Sequence, residues 1–358
     1  MTRRAAEEND VSTTPSRRRA RAVASALVSV ALLGLTACGQ IYPSREPAAG
    51  PPNGIKPDVH QVTIGFAQQQ LQAAYFSAMA VQAEQISQRD GFKLLFQSAN
   101  KDPVIQMSQM QAMIAQGADA LVVNATSVKG QTEMMTQIAS QIPVIYIDTS
   151  VPGTGTTSVQ SDNSTIGELS GELTAKRFLD MGKPSIKMVI LTGPATDEFV
   201  GPARRGGFLS GLDKGGLKYD IVSEQPGDYQ QDKGQVAAEN MLAGHPDVDL
   251  IMGLNDSMVL GAYSVVTANP KYKNVLVAAA ADGQKEALAL IKEGGCDGRY
   301  ISTGLNSPSL AAQDALKIAV DLATGRSKPA DYPKQSFTKA VGIGCNNINE
   351  YYDPNSVF

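Results

Sequence analysis

Histidine and cysteine are scarce in this chain of 358 residues, and the shortage excludes several kinds of site. The two histidines, His60 and His245, lie far apart in the sequence, and the three cysteines form no Cys-x-x-Cys pair. Zinc and iron sites are built from clusters of such side chains, so we expect no metal centre and no cofactor. The chain also lacks a Gly-x-Ser-x-Gly motif and carboxylates at a convincing catalytic spacing, which argues against a hydrolase.

Positive charge is in short supply as well. Residues 1–37 contain six of the 31 basic and three of the 35 acidic residues, which leaves 25 basic and 32 acidic residues in 38–358. A formal charge of −7 on that part excludes a nucleic-acid partner, which requires a basic face. Hydrophobic residues at 42% are typical of a globular protein, and the length suits two domains. After the N-terminal segment, no stretch is apolar enough to cross a bilayer.

The N-terminal segment has the features of an export signal. Arg17, Arg18, Arg19 and Arg21 precede an uncharged stretch over 22–37, as in a secretory signal peptide. Leu35-Thr36-Ala37-Cys38 resembles a bacterial lipobox, in which Cys38 would be the lipidated first residue of the mature protein. An ordinary cleaved signal and a single membrane-spanning helix are the alternatives, although the run is shorter than the roughly 20 residues of a span. We expect an exported protein held by lipid on the outer face of the cell membrane.

Two further features follow in the predicted mature chain. Residues 38–60 carry five prolines and three glycines but few aliphatic side chains, which predicts a tether rather than a packed segment. Cys296 and Cys345 would pair in an exported protein, closing a loop worth about 4 kcal/mol. Two buried free thiols are the alternative.

Alternating strands and helices fill the rest of the chain and predict parallel sheets covered by helices. The first series has strands at Val62–Phe66, Phe92–Gln97, Ala120–Val123 and Val144–Ile147, with helices at Tyr75–Gln88, Val104–Gln116 and Gly130–Ser140. The second has strands at Lys187–Leu191, Tyr219–Ser223, Leu250–Met252, Val275–Ala279 and Tyr300–Thr303, with helices at Ile166–Met181, Phe199–Leu212, Lys233–Leu242, Met258–Ala268, Lys285–Glu293 and Pro308–Thr324. We therefore predict two similar α/β lobes, with crossings near Asp162 and Asn306.

Ligands of parallel sheets bind beyond the carboxyl ends of the strands, so two such lobes facing each other form a cleft. Polar residues just after strands should line it: Gln68, Asp148, Asn255, Asp282 and Asn306. Such side chains hold an uncharged, hydroxyl-rich ligand by paired hydrogen bonds, and aromatic rings cover its C–H faces. Each residue alone also fits an ordinary turn or helix cap.

Several segments together resemble the ribose-binding-protein type of sugar-binding proteins from ABC importers, a type I periplasmic binding protein fold. The similarity runs from about Val62 to Lys334 and keeps the family's order. The matching segments are Ile64-Gly65-Phe66-Ala67-Gln68, Pro143-Val144-Ile145-Tyr146-Ile147-Asp148, Ser161-Asp162-Asn163 with Gly167, Gly253-Leu254-Asn255-Asp256-Ser257-Met258-Val259-Leu260-Gly261-Ala262 and Ala280-Ala281-Asp282-Gly283.

The resemblance implies a fold and a set of roles. It implies an N-terminal lobe (61–162 and 307–335), a C-terminal lobe (163–306), a multi-strand hinge, and a C-terminal tail (336–358) that crosses or covers the hinge. Hydroxyl groups of the ligand would bind Asp148, Asn255, Asp282 and Asn306, with Gln68 in the first ligand loop. Tyr75, Phe76 and Tyr229 would enclose the sugar ring, although a buried helix face is the alternative for the first two.

The chain also departs from this pattern. Thr149 stands where ribose binders carry an arginine, and Pro202 replaces another, while Arg204 matches the second arginine of that segment. Losing two cationic groups points to another pentose or hexose, a polyol or a cyclitol.

We expect a monomeric lipoprotein that captures a small neutral sugar or polyol and passes it to ABC permease subunits. A receptor of the same fold that signals to a sensor kinase is an alternative, and a lipid-anchored hydrolase is a weaker one. Lactose-repressor-like regulators share the lobes but carry a DNA-binding helix-turn-helix where this chain has an export leader.

Overall fold

The computed structural model of the protein describes residues 50–358, and the structural statements below concern that range. The predicted signal peptide, Cys38 and the first part of the predicted tether lie outside the described residues. Within 50–358, no helix combines the length and the apolar character that a bilayer crossing needs.

The first lobe is built on a six-stranded sheet in which all neighbouring strands are parallel. Its central strands are continuous apolar runs because helices cover both faces of the sheet. Across the sheet the order is β2 (Lys93–Ser98), β1 (Thr63–Gln68), β3 (Ala120–Val123), β4 (Val144–Ile147), β5 (Thr157–Gln160) and β11 (Ser336–Phe337).

The second lobe is built on a four-stranded parallel sheet with its own apolar core. Its order is β7 (Lys218–Pro226), β6 (Ser185–Thr192), β8 (Leu250–Gly253) and β9 (Leu276–Ala279). Beside it, β10 (Ser302–Gly304) pairs antiparallel with β12 (Gly342–Gly344). A late segment of the chain therefore belongs to the second lobe.

Ten α-helices connect the strands of residues 50–358, and local sequence signals mark several of their ends. Asp102 and Ser307 cap helices that begin with proline, while Gly91 and Gly325 end helices in the left-handed conformation. The helices are α1 (Ala74–Asp90), α2 (Pro103–Ala115), α3 (Thr132–Ala139), α4 (Asn163–Asp180), α5 (Val200–Lys214), α6 (Gln231–Gly244), α7 (Asp256–Ala268), α8 (Lys285–Gly294), α9 (Pro308–Thr324) and α10 (Ile348–Tyr351).

The chain crosses between the lobes three times within 161–341. It leaves β5 of the first sheet and enters α4 of the second lobe at residues 161–162. It returns from β10 to α9 at 305–307, and it crosses again between β11 and β12 at 338–341. Three strands of backbone side by side form the hinge on which one lobe can move against the other.

Helices α4 and α5 approach each other closely because glycines line their contact. A Cβ atom on Gly207 would lie 2.0 Å from the carbonyl oxygen of Ser164, and one on Gly171 would lie 2.2 Å from that of Phe208. Only glycine permits this spacing, which places α5 firmly against α4.

The second half of the predicted tether is hydrogen-bonded to the first lobe over residues 53–60, although most of these residues are exposed. Lys56 Nζ lies 2.8 Å from a carboxylate oxygen of the buried Asp119, and its backbone N–H donates to Ala323. Asn53 also donates to Asp119, and His60 hydrogen-bonds the carbonyl of Gly91. Polar side chains anchor this segment to the first lobe despite its lack of aliphatic residues.

Cys296 and Cys345 are joined by a disulfide, with their sulfur atoms 1.96 Å apart. The bond links the segment after α8 to the segment after β12. Both partners belong to the second lobe, so the bond fixes the middle of the C-terminal tail there.

Candidate ligand-binding site

Loops at the carboxyl ends of three strands bring polar residues together. Asp148 follows β4 of the first lobe, whereas Asn255 and Asp282 come after β8 and β9 of the second. Arg204, from α5, lies 3.1 Å from Asp282 (Nη1 to Oδ1), and its charge acts on Asp148. We call Asp148, Arg204, Asn255 and Asp282 the polar cluster.

Arg204 is buried and held by three partners. Its Nε donates to Asn163 Oδ1 at 2.8 Å, and its Nη1 donates to the carbonyl of Leu254 at 3.2 Å. Burial disfavours its charge, but the surrounding acidic groups, Asp282 foremost, outweigh burial and raise the pKa of Arg204. A fixed, permanently charged fork therefore stands in the cluster.

Asp282 is oriented by the hinge. Its backbone has φ +140°, its N–H donates to Gly304, and its carbonyl accepts from the N–H of Asn306. Asn306 Nδ2 also donates to Asp282 Oδ1 at 3.1 Å, while Asn306 Oδ1 accepts from the Ser161 hydroxyl at 2.6 Å. Asn306 thus joins two crossings and positions Asp282, and its direct contact with the ligand stays a prediction.

Asp148 is half-buried and has φ +60°, which turns the chain sharply at the end of β4. The Thr149 hydroxyl donates to its Oδ2 at 3.3 Å. Burial raises the pKa of Asp148 to about 6, against the opposing effect of Arg204. Thr149 thus supports the carboxylate instead of supplying a charge of its own.

Asn255 and Asp256 divide two tasks at the start of α7. Asn255 Oδ1 caps the helix by accepting from the N–H of Met258 at 3.1 Å. Asp256 is fully buried; it accepts from the backbone of Gly283 and Gln284 and from the Tyr300 hydroxyl. Burial raises its pKa to about 7. It fastens the turn after Asp282.

Sequence reasoning missed the role of Asp256. Asp256 follows Asn255 in the segment 253–262 that resembles the family, and this position was its signal in the sequence.

The aromatic residues lie on both sides of the cluster. Tyr75, at the start of α1, is 8% exposed and makes an edge contact with Phe76, with ring centroids 5.5 Å apart. Burial raises the pKa of the Tyr75 phenol well above its usual value, and the charges of Asp148 and Asp282 add to the rise. Its ring belongs to the apolar core of the first lobe. Phe76 is half-buried and packs on the core of the first lobe.

Tyr229 comes from the second lobe and has φ +61°. Its hydroxyl donates to Asp197, which also caps the start of α5 through the N–H groups of Val200 and Gly201. Its ring lies so close to Gly193 that a Cβ there would be 2.7 Å from ring atoms.

Gln68, a predicted ligand contact, is engaged inside the first lobe. Its side chain is fully buried, and its Oε1 accepts from the Gln69 N–H and from Asn124 Nδ2, both at 2.8 Å. Its amide braces the loop after β1, because the strand end lies deeper than the loop ends that carry Asp148 and Asp282.

Several polar groups of the site have no hydrogen-bond partner within residues 50–358 and are free to bind a ligand. They are Asp148 Oδ1, Arg204 Nη2, Asn255 Nδ2, Asp282 Oδ2 and the Tyr75 hydroxyl. Carboxylates, an amide, a guanidinium and a phenol can together bind several hydroxyl groups at once. The same part of the chain contains no group of three or more acidic, histidine or cysteine side chains suited to a metal ion.

A model of the periplasmic binding protein domain matches residues 64–327. The chain belongs to the periplasmic binding protein family. The predicted resemblance and the predicted two-lobed α/β fold are thereby confirmed. Membership of this family implies an exported protein.

Known relatives of this periplasmic binding protein are solute-binding proteins. The ribose import binding protein RbsB of Bacillus subtilis (strain 168) is 30% identical over 308 residues, covering 84% of this chain and 93% of the relative. A Mycobacterium smegmatis ABC transporter solute-binding protein with bound glycerol superposes with a TM-score of 0.71 at 28% identity, covering 82% and 98% of the two chains. A Caulobacter myo-inositol binding protein with bound myo-inositol superposes with a TM-score of 0.69 at 26% identity, covering 83% of this chain and 98% of the neighbour. The protein is accordingly a solute receptor and not an enzyme.

Proposed function

We propose that this periplasmic binding protein captures a small neutral sugar or polyol between its lobes and delivers it to an ABC permease. The polar cluster carries the proposal. The cluster contains one carboxylate from each lobe, Asp148 and Asp282, and the guanidinium of Arg204. The amide of Asn255 and the phenol of Tyr75 add unused hydrogen-bonding groups. Tyr75 and Tyr229 supply ring surface from opposite lobes.

The charge of the cluster favours an uncharged ligand. Arg204 is the one cation of the cluster, faces two carboxylates, and already pairs with Asp282 at 3.1 Å. A sugar acid or a phosphate would add a third negative charge in a buried place, at a high cost in desolvation and repulsion. Hydroxyl groups, in contrast, can donate to Asp148 and Asp282 without such a cost.

The names of the relatives support the same class of ligand. One is named for ribose import, and two solved structures hold glycerol and myo-inositol. All three compounds are uncharged and rich in hydroxyl groups. Thr149 and Pro202, which stand where the ribose type carries arginines, favour a polyol, a cyclitol or a sugar other than ribose.

Delivery would follow from closure of the lobes. A ligand that bonds Asp148 on one side and Asp282 on the other binds the closed form better, so it shifts the population toward that form. Micromolar affinity requires about −8 kcal/mol, which a few paired hydrogen bonds and two ring contacts can supply. One exposed contact between the lobes is an ion pair, in which Lys129 Nζ of the first lobe lies 2.9 Å from Glu198 Oε2 of the second.

A binding screen tests the proposal directly. Purified residues 39–358 are tested by thermal shift and calorimetry against D-ribose, xylitol, glycerol and myo-inositol, with D-galacturonate and ribose 5-phosphate as charged controls. We expect one-to-one binding of at least one neutral compound and none of the anions. Absence of binding to every neutral compound at millimolar concentration would contradict the proposal.

A substitution in the cluster locates the site. Asp282→Ala should weaken binding of the best neutral ligand at least tenfold. The ligand loses a charge-assisted hydrogen bond, and Arg204 loses the carboxylate that pairs with it. Asp220→Ala is the matched control, since Asp220 is exposed on β7 of the same lobe. Equal affinities of the two variants would show that the ligand binds elsewhere.

A further inference from the structure

Residues 352–358, which we call the strap, lie against both lobes. Their second-lobe contacts begin just before them, where Ile348 of α10 is buried in the core of that lobe. Lys292 Nζ then lies 4.7 Å above the ring of Tyr352, and Lys285 Nζ donates to the carbonyl of Ser356 at 2.7 Å. Both lysines belong to α8, so the strap is held on the second lobe at two points.

The far end of the strap reaches the first lobe. Phe358 is 8% exposed and belongs to the apolar core beneath the six-stranded sheet. Its ring meets that of Tyr75 edge to face, with centroids 5.7 Å apart and planes at 83°. The Ser356 hydroxyl donates to the carbonyl of Phe358 and fixes the bend between the two contacts.

The strap also passes beside the turn that carries Asp282. Gly283, Leu305 and Pro308 line a small cavity together with Ser356 and Phe358 of the strap. Gly283 is adjacent to Asp282, so the strap lies close to the turn that presents this carboxylate.

We propose that the strap positions Tyr75 for the ligand and couples it to the second lobe, which makes Phe358 a positioning residue for binding. The proposal rests on the proposed function of the cleft. The edge contact with Phe358 and the contact with Phe76 hold the ring of Tyr75 between two neighbouring rings, so the position of its hydroxyl depends on Phe358. Because Lys285 anchors the strap on the opposite lobe, this position depends on the separation of the lobes. The strap therefore holds Tyr75 in its binding position before the ligand arrives. A ligand that uses the Tyr75 hydroxyl then pays less conformational entropy on binding to the closed form.

Binding measurements on residues 39–358 test the contact itself. Phe358→Ala should weaken binding of the best neutral ligand of the panel roughly two- to tenfold, as expected for one lost aromatic contact. Phe358→Leu should retain part of the affinity because it keeps the apolar burial. Val357→Ala is the control, since Val357 is 38% exposed in the same strap, and it should leave affinity unchanged.

A variant far from Tyr75 separates coupling from local packing. Lys285 lies on the second lobe, and Lys285→Met removes its hydrogen bond to the carbonyl of Ser356 in the strap. The rings of Tyr75 and Phe358 stay unchanged. If the strap couples the lobes, this variant also weakens binding, and X-ray scattering shows fewer closed molecules at the same ligand concentration. Wild-type affinity in Lys285→Met would overturn the coupling. Wild-type affinity in Phe358→Ala would overturn the role of Phe358.

A measurement without ligand keeps this test distinct from that of the proposed function. The ring of Tyr75 is followed by ¹⁹F NMR in protein labelled with 3-fluorotyrosine, with its signal assigned from the Tyr75→Phe variant. We expect a displaced and broadened signal in both Phe358→Ala and Lys285→Met, and the wild-type signal in Val357→Ala. An unchanged signal in the first two overturns the strap even where the wild type binds a sugar. If the wild type binds no neutral compound but the Tyr75 signal is displaced in Phe358→Ala and Lys285→Met, the proposed function is overturned and the structural role of the strap stands.

Discussion

At the scale of single residues, the site is organised around one cation and several buried acids. Arg204 satisfies Asp282 directly and acts on Asp148 from across the cleft. Asp256 lies behind them and carries no direct cationic partner in the described chain; backbone N–H groups and a phenol hold it instead. Replacing one partner of such a buried set is expected to cost more than the pair contributes, because the remaining charge stays buried.

Asp148 should make stability depend on pH. Burial raises its pKa in the folded protein from 3.8 to about 6, so between these values the folded chain holds a proton that the unfolded chain has released. Stability from this group is therefore greatest below about pH 4 and falls as pH rises toward 6. Urea unfolding of the ligand-free protein at pH 4, 5, 6 and 7 measures the slope.

The control for this prediction is Asp148→Asn, which cannot titrate. Its free energy of unfolding should fall less steeply across the same window, although Asp256, whose pKa is raised to about 7, still contributes. Identical slopes for the variant and the wild type would show that Asp148 ionises normally in the fold.

At the scale of secondary-structure elements, glycine contacts determine how Arg204 is presented. Arg204 lies on α5, which approaches α4 through Gly207 and Gly211. Helix α4 also supplies Asn163, whose side-chain Oδ1 accepts from Arg204 Nε. The spacing of these two helices therefore sets both the position and the orientation of the guanidinium.

Adjacent glycines of α5 offer a matched pair of substitutions. A Cβ on Gly207 would lie 2.0 Å from the carbonyl oxygen of Ser164, whereas a Cβ on Gly206 would meet nothing within 4 Å. Gly207→Ala should destabilise the protein by about 3 kcal/mol or more, since backbone must move. Gly206→Ala should stabilise it by about 0.5–1 kcal/mol through helix propensity. Urea unfolding measures both, and similar values would contradict the close packing.

Elements with strong local signals could be predicted from the sequence. The helix Pro308–Thr324 has the predicted bounds because Ser307, Pro308 and Gly325 mark its ends, and the strands Ala120–Val123 and Val144–Ile147 are uninterrupted buried runs. The short strands β5, β11 and β12 were missed. Unlike β3 and β4, they contain no uninterrupted apolar run, and their pairing depends on segments distant in sequence.

The same reason limits prediction of the site. Residue type and position after a strand brought Asp148, Asn255 and Asp282 forward, and the structure groups them. The depth of each side chain depends on the packed fold, so Gln68 and Asn306 could not be recognised as internal hydrogen-bonding residues. The strap could not be foreseen either, because the contact between Tyr75 and Phe358 joins positions near opposite ends of the described chain.

At the scale of the whole molecule, the described body contains a hinge, a cleft and a strap, while the segment before it contains the predicted means of attachment. Residues 53–60 are fastened to the first lobe through Asp119 and Ala323. The length available as a free tether is therefore shorter than the sequence suggests, and it covers residues 38–52 at most. If Cys38 carries the lipid anchor, residues 38–52 in fully extended form would hold residue 53 within about 50 Å of the membrane surface.

Attachment through Cys38 can be tested on the full chain. In a bacterial host that processes lipoproteins, the wild type should fractionate with membranes and incorporate labelled fatty acid, because a diacylated residue together with a further chain gives stable anchoring. Cys38→Ser should abolish the label and release the protein in soluble form with its sugar binding intact, since the cleft is formed by residues after 60. Cys296→Ser together with Cys345→Ser is the control, since it removes the other two cysteines and should leave the label in place. Membrane association of Cys38→Ser without the label would assign the N-terminal segment to a membrane-spanning helix instead, and label retained by Cys38→Ser would show that another residue is acylated.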